Sequence, residues 1–208
     1  MGLNLDLTLE EGEYLVKLAR RAIETRLKTG EAIRPSSASE KLTRRCGVFV
    51  TLNRVEDGAH ILRGCIGFPY PVMPLAEAVV EAALGAAFED PRFHPVSSDE
   101  MGHIAVEVSV LTPPETIKVE DPSEYPGKIV IGRDGLMVGR GVRRGLLLPQ
   151  VAVEWGWDAE EFLTNCCLKA GLPPDAWLDK RTEVSRFQAI IFAEERPGGA
   201  VKKVSLSP

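Results

Sequence analysis

The sequence predicts an α+β fold: a largely antiparallel sheet with flanking helices. Three observations carry this. Apolar alternating stretches occur in pairs joined by tight-turn residues, Asp57-Gly58 in one pair and Arg133-Asp134-Gly135 in the other. Helical and strand patterns are interspersed without the regular β-α-β cadence of a doubly wound parallel sheet. The chain has 208 residues, of which 44% are hydrophobic, enough for one sizeable core or one core with a small appendage, and it shows no internal repeat or linker composition. Residues 1–208 therefore read as one domain, with a polar connection at about 31–43 and a weakly ordered tail at about 196–208.

Taken in order, Leu3, Leu5 and Leu7 alternate with Asn4 and Asp6 as a short strand or ordered arm. Thr8 and Glu11 have capping-box spacing. The helix they open carries Leu15, Leu18, Ala19, Ala22 and Ile23 on one face, with Arg20, Arg21, Glu24 and Lys28 elsewhere. Gly30 stops it. Val48, Val50 and Leu52 alternate within a strand over 46–55, and residues 60–66 return after Asp57-Gly58. Pro74 suits the first turn of a helix over 75–88. Residues 90–95 are irregular, because each proline there disfavours a helical residue before it.

Residues 98–101 fit one helical turn and 104–111 a strand that Pro113-Pro114 ends. Ile117 and Val119 suggest a short strand, followed by a turn-rich loop. Residues 129–131 and 136–138 form the second expected hairpin, and 150–155 a short helix. Asp158 and Glu161 cap a helix over 159–170 that Gly171 stops. Residues 182–193 make a long last strand. Trp155 and Trp157 are expected to staple the helix pair to the core.

The formal net charge of −5 argues against nucleic-acid binding by bulk electrostatics. Four cysteines, two of them adjacent at Cys166-Cys167, make neither a disulfide framework nor a C-x-x-C metal pair, and point to a reducing, cytoplasmic setting. Of that adjacent pair, one is expected in the core and one part-exposed. No N-terminal basic-then-apolar pattern and no apolar run of ~20 residues suggests export or membrane insertion.

The stretch with most chemical content is Leu62-Arg63-Gly64-Cys65-Ile66-Gly67. It sets a thiol between glycines, near a cation that lowers a thiol pKa. Cys65 is thus a candidate nucleophile or redox thiol. The competing reading makes the glycines sites of close packing and Cys65 a small buried hydrophobe. In Asp90-Pro91-Arg92-Phe93-His94-Pro95, Arg92 has the chemistry to clamp a carboxylate or phosphate and His94 to act as a general base. Alternatively, Asp90 caps or pairs with Arg92 while Phe93 anchors the loop. Glu107, in an otherwise apolar strand, either pairs with Arg63 or Arg92 or faces water.

The candidate catalytic set is accordingly Cys65, His94 and Glu107. Arg63, Gly64, Gly67, Asp90 and Arg92 are the candidate binding residues for a small anionic ligand. The glycine- and arginine-rich run 139–145 offers backbone amides and guanidinium groups to an anion, or is a solvated hairpin end. It lacks the lysine-Ser/Thr ending of a phosphate loop. No metal-ligand spacing is present, and no cofactor is indicated.

Together, Leu62 to Gly67, Asp90-Pro91-Arg92-Phe93, Val108-Ser109-Val110-Leu111, and Leu147-Leu148-Pro149-Gln150-Val151-Ala152 with Trp157 resemble the AMMECR family. The likeness runs through most of the chain, from about residue 15 to 192. Phe68-Pro69 departs from the threonine-phenylalanine more usual there, so that loop is expected to differ in shape. The resemblance implies an α+β fold with a larger and a smaller subdomain. It supplies no settled activity. It implies pathway partners among Memo-type and radical-SAM proteins, and a role in transcription, repair or translation has been suggested for the family. Three readings follow: an enzyme or enzyme accessory built on Cys65, Arg63 and Arg92; a non-catalytic protein-binding scaffold; and a nucleic-acid-associated factor, which the net charge disfavours.

Overall fold

The computed structural model describes residues 6–35 and 39–205, which divide into two compact units. The expected arm through Leu3 and Leu5, and Ser36, Ser37 and Ala38 of the polar connection, lie outside the described residues. The larger unit comprises the residues up to Leu111 together with Ile190–Val204, and the smaller is built from Thr112–Ala189.

In the larger unit, helix α1 (Leu9–Thr29) opens with the Thr8/Glu11 capping box and closes on Gly30 at φ 77°. Strands β1 (Gly47–Glu56) and β2 (Ala59–Phe68) form a hairpin whose turn residues Asp57 and Gly58 both have positive φ, 49° and 81°. That is what a two-residue turn matched to strand twist requires. Helix α2 (Leu75–Phe88) follows, then β3 (Ile104–Leu111), and β1 lies between β2 and β3. Val48, Val50, Leu52, Val106, Val108 and Val110 are buried on one face of this sheet, beneath α1 and α2. The chain returns as β7 (Glu183–Glu194), and its end pairs with β8 (Val201–Val204) through Ile191↔Val204 and Glu194↔Val201. The tail expected to be weakly ordered thus contains a strand, because β7 offers its backbone groups to it.

The smaller unit contains β4 (Glu115–Thr116), β5 (Asp134–Arg140), β6 (Arg143–Leu147), α3 (Pro149–Trp155) and α4 (Ala159–Lys169). The first part of β7 pairs with β4 and β5. Its hairpin turns at Gly141 (φ 60°) and Val142, not at Arg133-Asp134-Gly135 as the sequence suggested. Asp134 is instead buried at the start of β5 and accepts from Val130 N–H at 2.9 Å, fixing the turn at 131–133 ahead of the strand. Asp158 and Glu161 cap α4 as expected.

Cys166 and Cys167 are both buried, and burial pushes the Cys166 thiol up to about 12. Trp155 is 70% exposed and stacks on Trp157 at 5.8 Å rather than anchoring the core. Each unit buries its own apolar cluster. Among the described residues, no helix is long and apolar enough to cross a membrane.

Candidate functional site

The site grows from the packing of β2 on α2. A Cβ on Gly64 would lie 2.1 Å from the carbonyl oxygen of Ala86, and one on Gly67 would lie 2.2 Å from that of Val48. These glycines bring backbone against backbone, closer than any side chain permits. Both candidate binding glycines therefore have a packing role. Just before Gly64 the β1–β2 register shifts: Leu52 faces Gly64 while Asn53 faces Leu62, leaving Arg63 opposite no residue. Such a bulge re-aims the side chain it carries.

Arg63 reaches Glu100, with Nε–Oε1 at 2.8 Å and Nη2–Oε2 at 3.1 Å. Glu100 also accepts the N–H of Ser97, completing a capping box at the 3-10 turn Ser98–His103. The Arg63 guanidinium beside it holds its carboxyl down at about 2. Arg63 Nη1 is buried without a hydrogen-bond partner, and the guanidinium carbon lies 5.8 Å from the Phe93 ring centroid.

Cys65 lies on β2, the outer strand of this unit's sheet, so its main chain faces no further strand. The loop after α2 supplies what a neighbouring strand would. Asp90 Oδ2 accepts from Cys65 N–H at 2.9 Å, and Arg92 Nη2 donates to the Cys65 carbonyl at 3.3 Å. Asp90 and Arg92 are themselves joined at 2.9 Å (Nε–Oδ1) and 2.7 Å (Nη2–Oδ2), while the Arg92 N–H donates to Oδ1 at 3.1 Å. The acid–arginine pair thus closes the sheet edge at one residue, a covered edge in the sense natural sheets require. Arg92 also stands 5.4 Å from the Phe93 centroid, so one ring is shared by two guanidinium groups.

On the side-chain face, the Thr51 hydroxyl donates to Cys65 Sγ at 3.4 Å. Thr51 faces Cys65 on one side and Glu107 on the other, which sets the three in a row across β2, β1 and β3. Burial pushes the Cys65 thiol up. The Thr51 hydrogen bond and Arg92 pull against this, while the Glu107 and Asp90 carboxylates add to it. The net rise leaves a neutral thiol at physiological pH. His94 is exposed and makes no hydrogen bond or ion pair with another described residue. The structure therefore brings Cys65, Arg63, Asp90, Arg92 and Glu107 into one neighbourhood and gives His94 no coupling to it.

Two contributors escaped the sequence reading. Glu100 had a usable signal in its three-residue spacing from Ser97. Thr51 had none, because its role depends on strand register. Among the described residues, no group of three or more His, Cys, Asp or Glu side chains is placed to hold a metal ion.

The sequence profile described as AMMECR1 matches residues 16–192. The chain belongs to the AMMECR1 family. Its AMMECR1 relatives include Protein PF1979 of Pyrococcus furiosus, 58% identical over 201 residues, spanning 96% of this chain and 95% of that one. Protein MK0488 of Methanopyrus kandleri is 54% identical over 202 residues, 97% of each. The crystal structure of the uncharacterized protein PH0010 from Pyrococcus horikoshii superposes with a TM-score of 0.91 at 57% identity, covering 95% of this chain and 98% of that one. None of these names specifies an activity.

In this AMMECR1 protein, the pH dependence of the edge clamp has a definite sign. Arg92 lowers the Asp90 carboxyl to about 2, so its stabilisation is present above the ordinary carboxylate range and is lost as pH falls towards 2. Asp90→Asn is expected to cost about 2 kcal/mol at pH 7, the worth of holding the carboxyl at about 2, reduced by solvent screening because Arg92 is nearly half-exposed. Urea unfolding of both proteins at pH 7 and pH 3 should show the wild-type advantage shrinking with acid. A gap independent of pH would mean that the charge on Asp90 contributes nothing.

Proposed function

We propose that this protein is a binding module rather than a thiol catalyst, and that its partners are the Memo-type or radical-SAM proteins the family resemblance implies. The observation that supports this is the engagement of the signature's charges. Arg63 is held by Glu100 and Arg92 by Asp90, each through two hydrogen bonds, so neither guanidinium is poised for a second bidentate anion. The thiol between them is raised rather than activated. What the clamp achieves is a rigid, closed sheet edge flanked by exposed apolar side chains: Ile61 and Leu62 before it, Tyr70 and Val72 after it. An enzyme built on Cys65 would need a thiolate. A nucleic-acid role through the basic hairpin end is disfavoured too, because Arg140 pairs with Asp179 and Arg143 and Arg144 donate to backbone carbonyls.

Two measurements on the full chain test this. Iodoacetamide labelling of Cys65 should be slow, with no transition below about pH 8.5; a transition below neutral pH would restore the thiol enzyme. Titration against purified Memo-type and radical-SAM proteins should detect a complex weakened about tenfold or more by Leu62→Asp and unaffected by Cys65→Ser. Failure to bind either protein would remove the partner assignment.

A further inference from the structure

The smaller unit leaves an indole in water at the end of α3. Trp155 is largely exposed, and its ring stacks on Trp157 with the two planes 17° from parallel. Local geometry holds the pair in place. Gly156 stops α3 at φ 64°; its N–H donates to the Val153 carbonyl at 3.2 Å, and the Trp157 N–H donates to that of Ala152 at 2.9 Å. A helix end closed in this way turns the chain sharply. Trp157 packs against the unit's apolar cluster and is the anchored half, while Asp158 at once opens α4. One face of Trp155 lies on Trp157, so the other is presented to solvent.

The charges around this ring say what covers it. Residues 154–161 carry Glu154, Asp158, Glu160 and Glu161 with no lysine or arginine among them, and all four are exposed. Asp158 and Glu161 accept each other's N–H groups in the α4 cap, but among the described residues none of the four forms an ion pair. Desolvation pushes the Glu154 carboxyl up, and no neighbouring cation pulls it back. Nor does a described cation stand over either indole, the guanidinium–ring contacts being those at Phe93. Ionised carboxylates only accept hydrogen bonds. The matching group is flat, cationic and donor-only: a guanidinium, which stacks on an aromatic face and donates in a fork to a carboxylate. A sugar or a neutral proline-rich segment would leave the four charges uncompensated.

We propose that Trp155 and the carboxylates of 154–161 form a docking surface for an extended, arginine-bearing basic segment of a partner protein, with one guanidinium seated on the open face of Trp155. Glu154, beside it in sequence, and Glu160, in the first turn of α4, supply the acceptors that the α4 cap does not use. The inference does not rest on the reading above, because this surface shares no residue with the signature or with the apolar side chains that flank it.

Calorimetric titration of the full chain with the peptide Gly-Arg-Gly-Arg-Gly tests the assignment, with lysine, citrulline and glutamate versions and a neutral proline-rich peptide as controls. The arginine peptide should bind saturably, more tightly than the lysine version and about tenfold or more above the citrulline version, which keeps the shape without the charge. Its affinity should fall as salt rises, because the charges are exposed. Trp155→Ala should weaken it about tenfold or more, and Glu154→Gln with Glu160→Gln about threefold, whereas Leu62→Asp should not. Circular dichroism melts of each variant check that the fold is retained. No saturable binding of the arginine peptide, equal binding of the citrulline or proline-rich peptide, or full affinity in folded Trp155→Ala protein would overturn the proposal. Self-association that Trp155→Ala abolishes would also overturn it, since the occupant would then be a second copy. Failure of the Leu62→Asp complex test would leave it standing.

Discussion

Arg20→Met is expected to lower the unfolding free energy by about 3–5 kcal/mol, the range for breaking a buried ion pair from one side. The Arg20 and Glu194 side chains are 13% and 3% exposed and meet at 2.6 Å. Arg20 also donates to the carbonyls of Met101 and Ile104, while Glu194 accepts from Val106 and Gly198. Removing the guanidinium strands a buried carboxylate with only two backbone N–H donors and leaves carbonyl oxygens unmatched. Most of the loss is the penalty of that stranded charge, so Arg20→Met combined with Glu194→Gln should be less damaging than the two single changes summed. Chemical denaturation of the four proteins measures this. A single-variant loss below about 1 kcal/mol would show that the pair behaves as an ordinary surface contact.

Gly64→Ala is expected to be comparably severe, at about 3 kcal/mol or with loss of folded protein, the upper range for overpacking a core. The added methyl would sit 2.1 Å from the Ala86 carbonyl oxygen, which belongs to the α2 backbone and cannot rotate away. Gly85→Ala provides the contrast, because its nearest atom is Ile66 Cγ2 at 2.9 Å, at the end of a side chain. Trimming Ile66 should therefore rescue Gly85→Ala, while no side-chain trim should rescue Gly64→Ala. Thermal unfolding distinguishes the two. A mild effect at Gly64 would mean that β2 and α2 separate easily, and would remove packing as the reason for the glycine.

How much of this was legible in the sequence follows from the range of each interaction. Thr8 with Glu11, Asp158 with Glu161 and the Asp57-Gly58 turn all act within a few residues, and each places its element as expected. The second hairpin was misread because Arg133-Asp134-Gly135 and Gly141-Val142 both look like turns. The choice between them falls to register against β7 and to the burial of Asp134. The bulge at Arg63 leaves no mark on strand alternation, which reads straight through it.

At the candidate site, Asp90 with Arg92 was readable because they are two residues apart. Arg63 with Glu100 was not, being separated by 37. Arg20, assigned to the polar side of α1, belongs to the interior only because Glu194 arrives from 174 residues away.

That separation bears on the order in which the protein is made. A chain emerging from the ribosome completes α1, the first hairpin and β3 long before it delivers Ile190–Val204, whereas all of Thr112–Ala189 is available earlier. The inserted unit has its own apolar cluster and becomes competent to fold first. The larger unit waits, its Arg20 still solvated and the β3 edge that β7 covers still open, until Ile190–Val204 is released. Shortening the chain before Glu194 would therefore stall maturation of the N-terminal half, the part synthesised first.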